Sequence, residues 1–180
     1  MADVLHKETL QYLKSVHTPN YDPEEWLINP DLSAVEGVDP KYWKIQDDKV
    51  LEMSGEEKDT AYLEEVKAEA FQAIDARTRE ILAEGFSYRN ERFSLSQAAQ
   101  LRMTELIFLL DQDAPLDFPI VWNTLDDTWQ IELSDSTEVR SFIQEGTQTV
   151  VSIINSGTSL KAQIRSALTI SAVELIKDER

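Results

Sequence analysis

Residues 54–84 read SGEEKDTAYLEEVKAEAFQAIDARTREILAE, and the rest of the chain is organised around this stretch. Ser54-Gly55-Glu56-Glu57 has the pattern of a capping box, in which the Ser54 hydroxyl accepts from an early backbone N–H while Glu57 reaches back. Gly85 follows, the residue type that most easily takes the left-handed conformation ending a helix. No proline interrupts the stretch, and no glycine follows its first turn. The pattern predicts one helix of roughly 45 Å at ~1.5 Å per residue, well beyond the usual ~11–12 residues. Leu63, Val66, Ala70, Ile74 and Ile81 recur at helical spacing, a narrow apolar stripe with Phe71 beside it. A strict heptad from Leu63 places Ala73, Arg77 and Glu80 in the seam, which suits a two-stranded coiled coil poorly. Two arrangements stay open: a multi-chain helical bundle, or a helix lying on its own C-terminal domain or against a neighbouring protein. Either one asks for a partner surface.

Upstream, Val4, Leu5, Tyr12, Leu13 and Val16 have a roughly helical spacing and predict a short N-terminal helix. It stops before Thr18-Pro19, because a residue preceding proline is pushed out of the helical region. Pro19, Pro23, Pro30 and Pro40 then exclude long regular structure, while Tyr21, Trp26, Leu27 and Ile28 are too apolar for a disordered linker. The expectation is an extended arm that hides its aromatic residues on the long helix or on another subunit. Tyr42-Trp43-Lys44-Ile45 and Val50-Leu51-Glu52-Met53 flank a polar turn and predict a small β-hairpin. Two strands alone are marginal in water, so the hairpin also needs a surface. Residues 1–53 are therefore expected to be an arm and hairpin that dock, with 54–84 as a spacer.

Downstream, residues 85–180 predict a self-sufficient α+β domain. Gly85-Phe86-Ser87-Tyr88 and Arg92-Phe93-Ser94-Leu95 flank Arg89-Asn90-Glu91 as a short hairpin. Ser94 with Gln97 is a second capping box, opening a helix to about Asp111 that buries Ala99, Met103, Leu106, Ile107 and Leu110. Ile120–Thr124 and Thr128–Leu133 form a second hairpin around Leu125-Asp126-Asp127, with a tryptophan on each arm. Ser134 or Asp135 caps a helix to about Asn155 with Val139, Phe142, Ile143, Val150, Ile153 and Ile154 inward, and Asn155-Ser156-Gly157 is expected to stop it. Thr158 or Ser159 opens a last helix with Leu160, Ile164, Leu168, Ala172 and Leu175 on one side, antiparallel to the one before. The fold class is α+β: an N-terminal helix and extended arm with a β-hairpin, a long central helix, and a module of two β-hairpins and three helices.

The net charge of −17 over 180 residues is spread along the whole chain, and no segment carries a basic block. Binding to a phosphate backbone or an anionic membrane surface is therefore not expected, and the acidity reads as a solubilising surface. The chain has no cysteine, hence no disulfide and no thiolate zinc site. No signal peptide and no membrane span is expected, which reads as a soluble, non-secreted product. His6 and His17 have no positioned carboxylate or cysteine nearby in sequence. Asp111-Gln112-Asp113 begins like a calcium loop but runs into Ala114-Pro115, without the turn glycine or the terminal glutamate. Asp126-Asp127 is explained by turn chemistry. No glycine loop cradles a phosphate, and the serines near Ser94 are helix caps without a histidine partner. The expectation is a protein without enzymatic activity, catalytic residues, cofactor or metal.

Three stretches carry a resemblance. Tyr12-Leu13-Lys14-Ser15-Val16 through Trp26-Leu27-Ile28-Asn29-Pro30, and Pro40-Lys41-Tyr42-Trp43-Lys44 running on to Ser54 and Glu57-Lys58, resemble N-terminal segments of small tailed-bacteriophage virion proteins. Asp75-Ala76-Arg77-Thr78, Gly85-Phe86-Ser87-Tyr88, Phe93-Ser94-Leu95-Ser96 with Ala99-Gln100, Phe118-Pro119 and Ser156-Gly157 resemble an uncharacterised domain of phage tail and tail-fibre-region proteins. What this implies is a virion structural protein, made in the host cytoplasm and carried in the particle. It would be an adaptor of the tail, baseplate or fibre-attachment region, acting by protein–protein contact with other virion proteins as a homo-oligomer in a symmetric assembly. A tail-fibre assembly chaperone and a head-decoration protein are the alternatives. The residues expected at the partner interface are Tyr21, Trp26, Leu27, Ile28, Tyr42, Trp43, Leu63, Val66, Phe71 and Ile74, with no nucleic acid or membrane involved.

Overall fold

The computed structural model describes residues 1–180, which divide into two units, 1–65 and 66–180. The chain is α+β, with small antiparallel sheets of two or three strands. The first unit opens with β1 (Ala2–His6), β2 (Tyr12–Val16) and β3 (Trp26–Ile28), a sheet in the order β2-β1-β3. This corrects the predicted N-terminal helix. The apolar residues that suggested it are cross-strand partners: Val4 faces Leu13, Leu5 faces Tyr12, and Ala2 faces Val16. A helix needs negative φ throughout, whereas Leu10 and Ser15 both have φ 56°. His6 Nδ1 accepts from the backbone N–H groups of Glu8 and Thr9, which turns the chain back on itself. The strands are then tied by the Tyr12 hydroxyl, which donates to Asp3 at 2.5 Å.

The proline-rich segment is not a free arm. It returns as β3, with Leu27 opposite Leu5, and continues through two single-turn 3-10 helices to the predicted hairpin, β4 (Trp43–Gln46) and β5 (Lys49–Glu52). Leu5, Leu27, Val35, Trp43 and Val50 form a core of their own. The Trp43 indole N–H donates to the Val38 carbonyl at 2.9 Å, so its one polar atom is satisfied inside. The expectation that residues 1–53 hide their aromatic residues on the long helix or on another subunit is thereby corrected for Trp43, which is buried in this core, while Tyr21, Trp26 and Tyr42 are half-buried. The physical reason is that β3 pairs with β1 and the chain then turns through Ser33–Val35 and Pro40–Tyr42, which brings Val35 and Trp43 against Leu5 and Leu27.

The long helix is α1 (Gly55–Ala83), and its capping box is formed as predicted. Ser54 N–H donates to the Glu57 carboxylate at 2.7 Å, and Glu57 N–H donates to Ser54 Oγ at 3.3 Å. The division between the two units falls within this helix, between Glu65 and Val66.

In the second unit, β6 (Phe86–Tyr88) and β7 (Glu91–Phe93) make the first hairpin, around Arg89 and Asn90, both at positive φ. Next come α2 (Gln97–Asp111), β8 (Ile120–Asn123), β9 (Gln130–Leu133), α3 (Ser136–Ser166) and α4 (Ile170–Glu174). Phe142 of α3 is the hub: its ring centroid lies 5.0–5.2 Å from those of Phe86, Tyr88, Phe93 and Trp122. Leu95, Met103, Leu106, Ile131, Leu133, Val139 and Ile143 complete this core. The two hairpins are joined where Leu125 N–H donates to the Arg92 carbonyl at 2.7 Å.

Three local expectations are corrected. The cap of α2 is Ser96, whose hydroxyl accepts from Ala99 N–H, while Ser94 Oγ holds the Ser96 N–H. Asn155-Ser156-Gly157 does not stop a helix; α3 runs straight through it, and no antiparallel pair follows. Glycine stands at 157 because a β-carbon there would meet Arg180 Nη1 at 2.8 Å and Thr78 Oγ1 at 3.0 Å. Close approach of α1 and the last residues is what it permits, at a helix cost of ~1 kcal/mol. With the last helical segment reduced to α4, Leu168 and Leu175 are 86% and 80% exposed instead of inward, and Ile154 is about half exposed. No helix is long and apolar enough to cross a membrane.

Candidate partner interface

The ten residues expected at an interface fall into three groups. Leu27, Trp43 and Ile74 are buried within the chain and act as core. Tyr21 and Trp26 are half-buried and stack edge-on at 4.9 Å, with the His6 ring 4.8 Å from Trp26 on the other side. Ile28 pairs with Val4 across the sheet. Two ammonium groups stand over the Tyr42 ring, with Lys41 Nζ 5.2 Å and Lys58 Nζ 5.4 Å from its centre. Those lysines, with Lys44, bind the hairpin to the first turns of α1. Lys41 pairs with Glu65 at 3.0 Å, Lys44 with Glu57 at 2.6 Å, and Lys58 with Glu52. Lys44 and the Ser54 N–H together hold the Glu57 carboxyl down at about 2. Leu63, Val66 and Phe71 are half-buried, and the Arg165 guanidinium sits 5.7 Å over the Phe71 ring.

The rest of the α1 stripe is covered inside the second unit. Lys67 donates to the Arg165 carbonyl at 3.5 Å, near the end of α3, where a cation complements the helix dipole. Lys161 pairs with Asp75. Arg180 reaches between α1 and α3, donating to the Ile74 carbonyl, Thr78 Oγ1, the Ile153 carbonyl and Ser156 Oγ. Arg77 donates in turn to the Arg180 carbonyl at 2.8 Å. Asp178 pairs with the same guanidinium, and that pairing lowers its own carboxyl.

Further apolar side chains are exposed on α2 and α3. The core face of α2 is Met103, Leu106 and Leu110, and on its opposite side Leu101 and Phe108, two turns apart, are 59% and 62% exposed. The two helices run antiparallel, as Arg140 pairs with Asp111 at 2.8 Å while Met103 lies against Gly146. Between them a groove of ≈ 430 Å³ is lined by Ile107, Arg140, Ile143, Gln144, Thr147 and Gln148. Helical spacing places Arg140, Thr147, Val151 and Ile154 along one side of α3, and Val151 and Ile154 are each about half exposed. Trp129, in the β8–β9 turn, is 64% exposed. Phe108 has a sequence signal: Leu106-Ile107-Phe108-Leu109-Leu110 points apolar groups all round the helix, and one core can cover only part of that. The groove has none, because it depends on which helix lies beside which.

A family described as Domain of unknown function (DUF4376) matches residues 65–178. The chain belongs to this family. No curated protein and no solved structure matches it. The DUF4376 match begins one residue before the second unit and ends at residue 178, so the Phe142 core, the Lys67 and Lys161 contacts between α1 and α3, and the α2–α3 groove are features of the DUF4376 domain, while Arg180 lies two residues beyond the match. Val66, Phe71 and Ile74 belong to it as well. Tyr21, Trp26, Leu27, Ile28, Tyr42, Trp43 and Leu63 lie outside it.

Proposed function

We propose that this chain is a structural component of a tailed-phage virion, an adaptor of the tail, baseplate or fibre-attachment region that works by protein–protein contact. The phage assignment rests on the sequence resemblance, and the motif residues of its third stretch occupy structural positions in the DUF4376 domain. Thr78, Ser156 and Gly157 meet at Arg180, Gly85 and Phe93 are in contact, and the Gln100 side chain donates to the Leu95 carbonyl at 2.7 Å. The observation that supports the contact role best is the exposed apolar side of α2, which carries Leu101 and Phe108. Large aromatic and aliphatic side chains held on a rigid helix are the usual anchors of a protein interface.

Mass spectrometry of purified particles tests the reading. The protein is expected in the finished virion at a fixed ratio to other tail proteins. Its presence in the lysate together with absence from washed particles would overturn the reading in favour of an assembly chaperone.

A further inference from the structure

We propose that the α2–α3 face of the DUF4376 domain is the docking site for a cationic amphipathic helix of another protein. Ile107 and Ile143 line the groove; on α2 the exposed Leu101 and Phe108 stand on the same helix as Ile107, and on α3 the half-exposed Val151 and Ile154 lie along the side that carries the groove residues Arg140 and Thr147. Two antiparallel helices with a groove between them accept a third helix by the same ridge-and-groove packing that joins them to each other. The charge around the face selects the occupant. Glu105 lies between Leu101 and Phe108 on the helix, Asp111, Asp113 and Asp117 follow at its C-terminal end, and all four are exposed. The two guanidiniums nearby are engaged: Arg140 pairs with Asp111, and Arg102 lies 4.3 Å over the Trp122 ring and donates to the Val121 carbonyl at 2.9 Å. Glu105, Asp113 and Asp117 form no ion pair. A second copy would bring the same carboxylates and a further net charge of −17 against them, so self-association through this face is opposed. Lysine or arginine flanking an apolar stripe satisfies both the groove and its rim.

The inference deepens the contact role proposed above. Its test uses purified protein and no particle, so its failure leaves the virion assignment standing. The probes are two fluorescein-labelled helical peptides with the same leucine stripe, one with lysine and one with glutamate on its polar face. Anisotropy should show saturable binding of the lysine peptide and none of the glutamate peptide. Binding should fall at least tenfold in the Leu101→Ala, Phe108→Ala double variant and separately in Glu105→Gln, and it should weaken as salt rises. Both changes are at exposed positions, and an unchanged melting curve shows that the variants fold. Equal binding of the two peptides, no binding of either, or lysine-peptide binding indifferent to the double variant overturns the proposal. So does a wild-type dimer in sedimentation that the double variant dissociates, since that makes a second copy the occupant.

Discussion

Gly85 shows how much one residue can decide. It ends α1 at φ 72°, and its N–H donates to the Leu82 carbonyl at 3.1 Å. A β-carbon there would stand 2.0 Å from the Phe93 carbonyl oxygen, a backbone atom that cannot swing aside. Gly37 has nearly the same φ, 77°, but open space around it. The two glycines therefore separate conformational strain from steric conflict. Gly37→Ala should cost ~1–2 kcal/mol, the penalty of a left-handed L-residue. Gly85→Ala should cost ~2–5 kcal/mol, because displacement of the β6–β7 hairpin from Phe142 adds to that penalty. Urea midpoints of the two variants decide this, and equal shifts would remove the steric account.

At the scale of the element, one of the ion pairs that hold the hairpin β4–β5 to α1 uses a carboxylate that also belongs to the helix cap. Glu57 accepts from Lys44 and from the Ser54 N–H, and for that reason its carboxyl is lowered from the ordinary 4.5 to about 2. A carboxyl whose pKa is depressed on folding contributes stability fully above its unfolded value and loses it as pH falls through the folded one. The contribution should thus be intact above about pH 4.5 and gone near about pH 2. In Glu57→Gln the cap acceptor survives and the ion pair does not, so the difference in urea midpoint between wild type and variant should shrink across that window. A Glu57 carboxyl that titrates near its ordinary value by NMR would show that the Lys44 contact does not persist in solution. The cap of α1 was legible because Ser54 and Glu57 state it locally, and both β6–β7 and β8–β9 were legible from alternation around a polar turn. The β1–β3 sheet was not, since Val4, Leu5, Tyr12 and Leu13 fit either period. What decides between them is a positive φ at Leu10, a residue type that does not advertise one. Gly157 misled for a related reason: a glycine that ends a helix and a glycine that lets another chain segment approach look alike in sequence. Of the candidate site, Phe108 could be inferred from the five-residue apolar run, while Trp43 and Leu27 looked available only because the sheet that covers them was unseen.

The whole molecule poses the question of where its independent folding unit begins. The two hairpins, α2 and α3 share the Phe142 core, and Leu82 of α1 also packs against it. The second unit nevertheless starts at Val66, and the residues between 66 and 84 are tied to its far end. Ile74 is buried, its carbonyl and Thr78 Oγ1 accept from Arg180, Asp75 pairs with Lys161, and Arg77 holds the Arg180 carbonyl. Removing α1 would expose the α3 surface around Ile164 and leave the Arg180 guanidinium with fewer acceptors. The packing of Ile74 alone is worth ~2–5 kcal/mol, against ~5–15 kcal/mol for the stability of a typical domain. A fragment of residues 66–180 should therefore melt in one cooperative transition, with calorimetric and van't Hoff enthalpies in agreement. A fragment of residues 85–180 should melt at lower temperature and with a broader transition. Equal melting of the two fragments would mean that the α1–α3 contacts contribute nothing to the domain. In that case α1 would be free to act as a spacer, and its apolar stripe would be open to a partner.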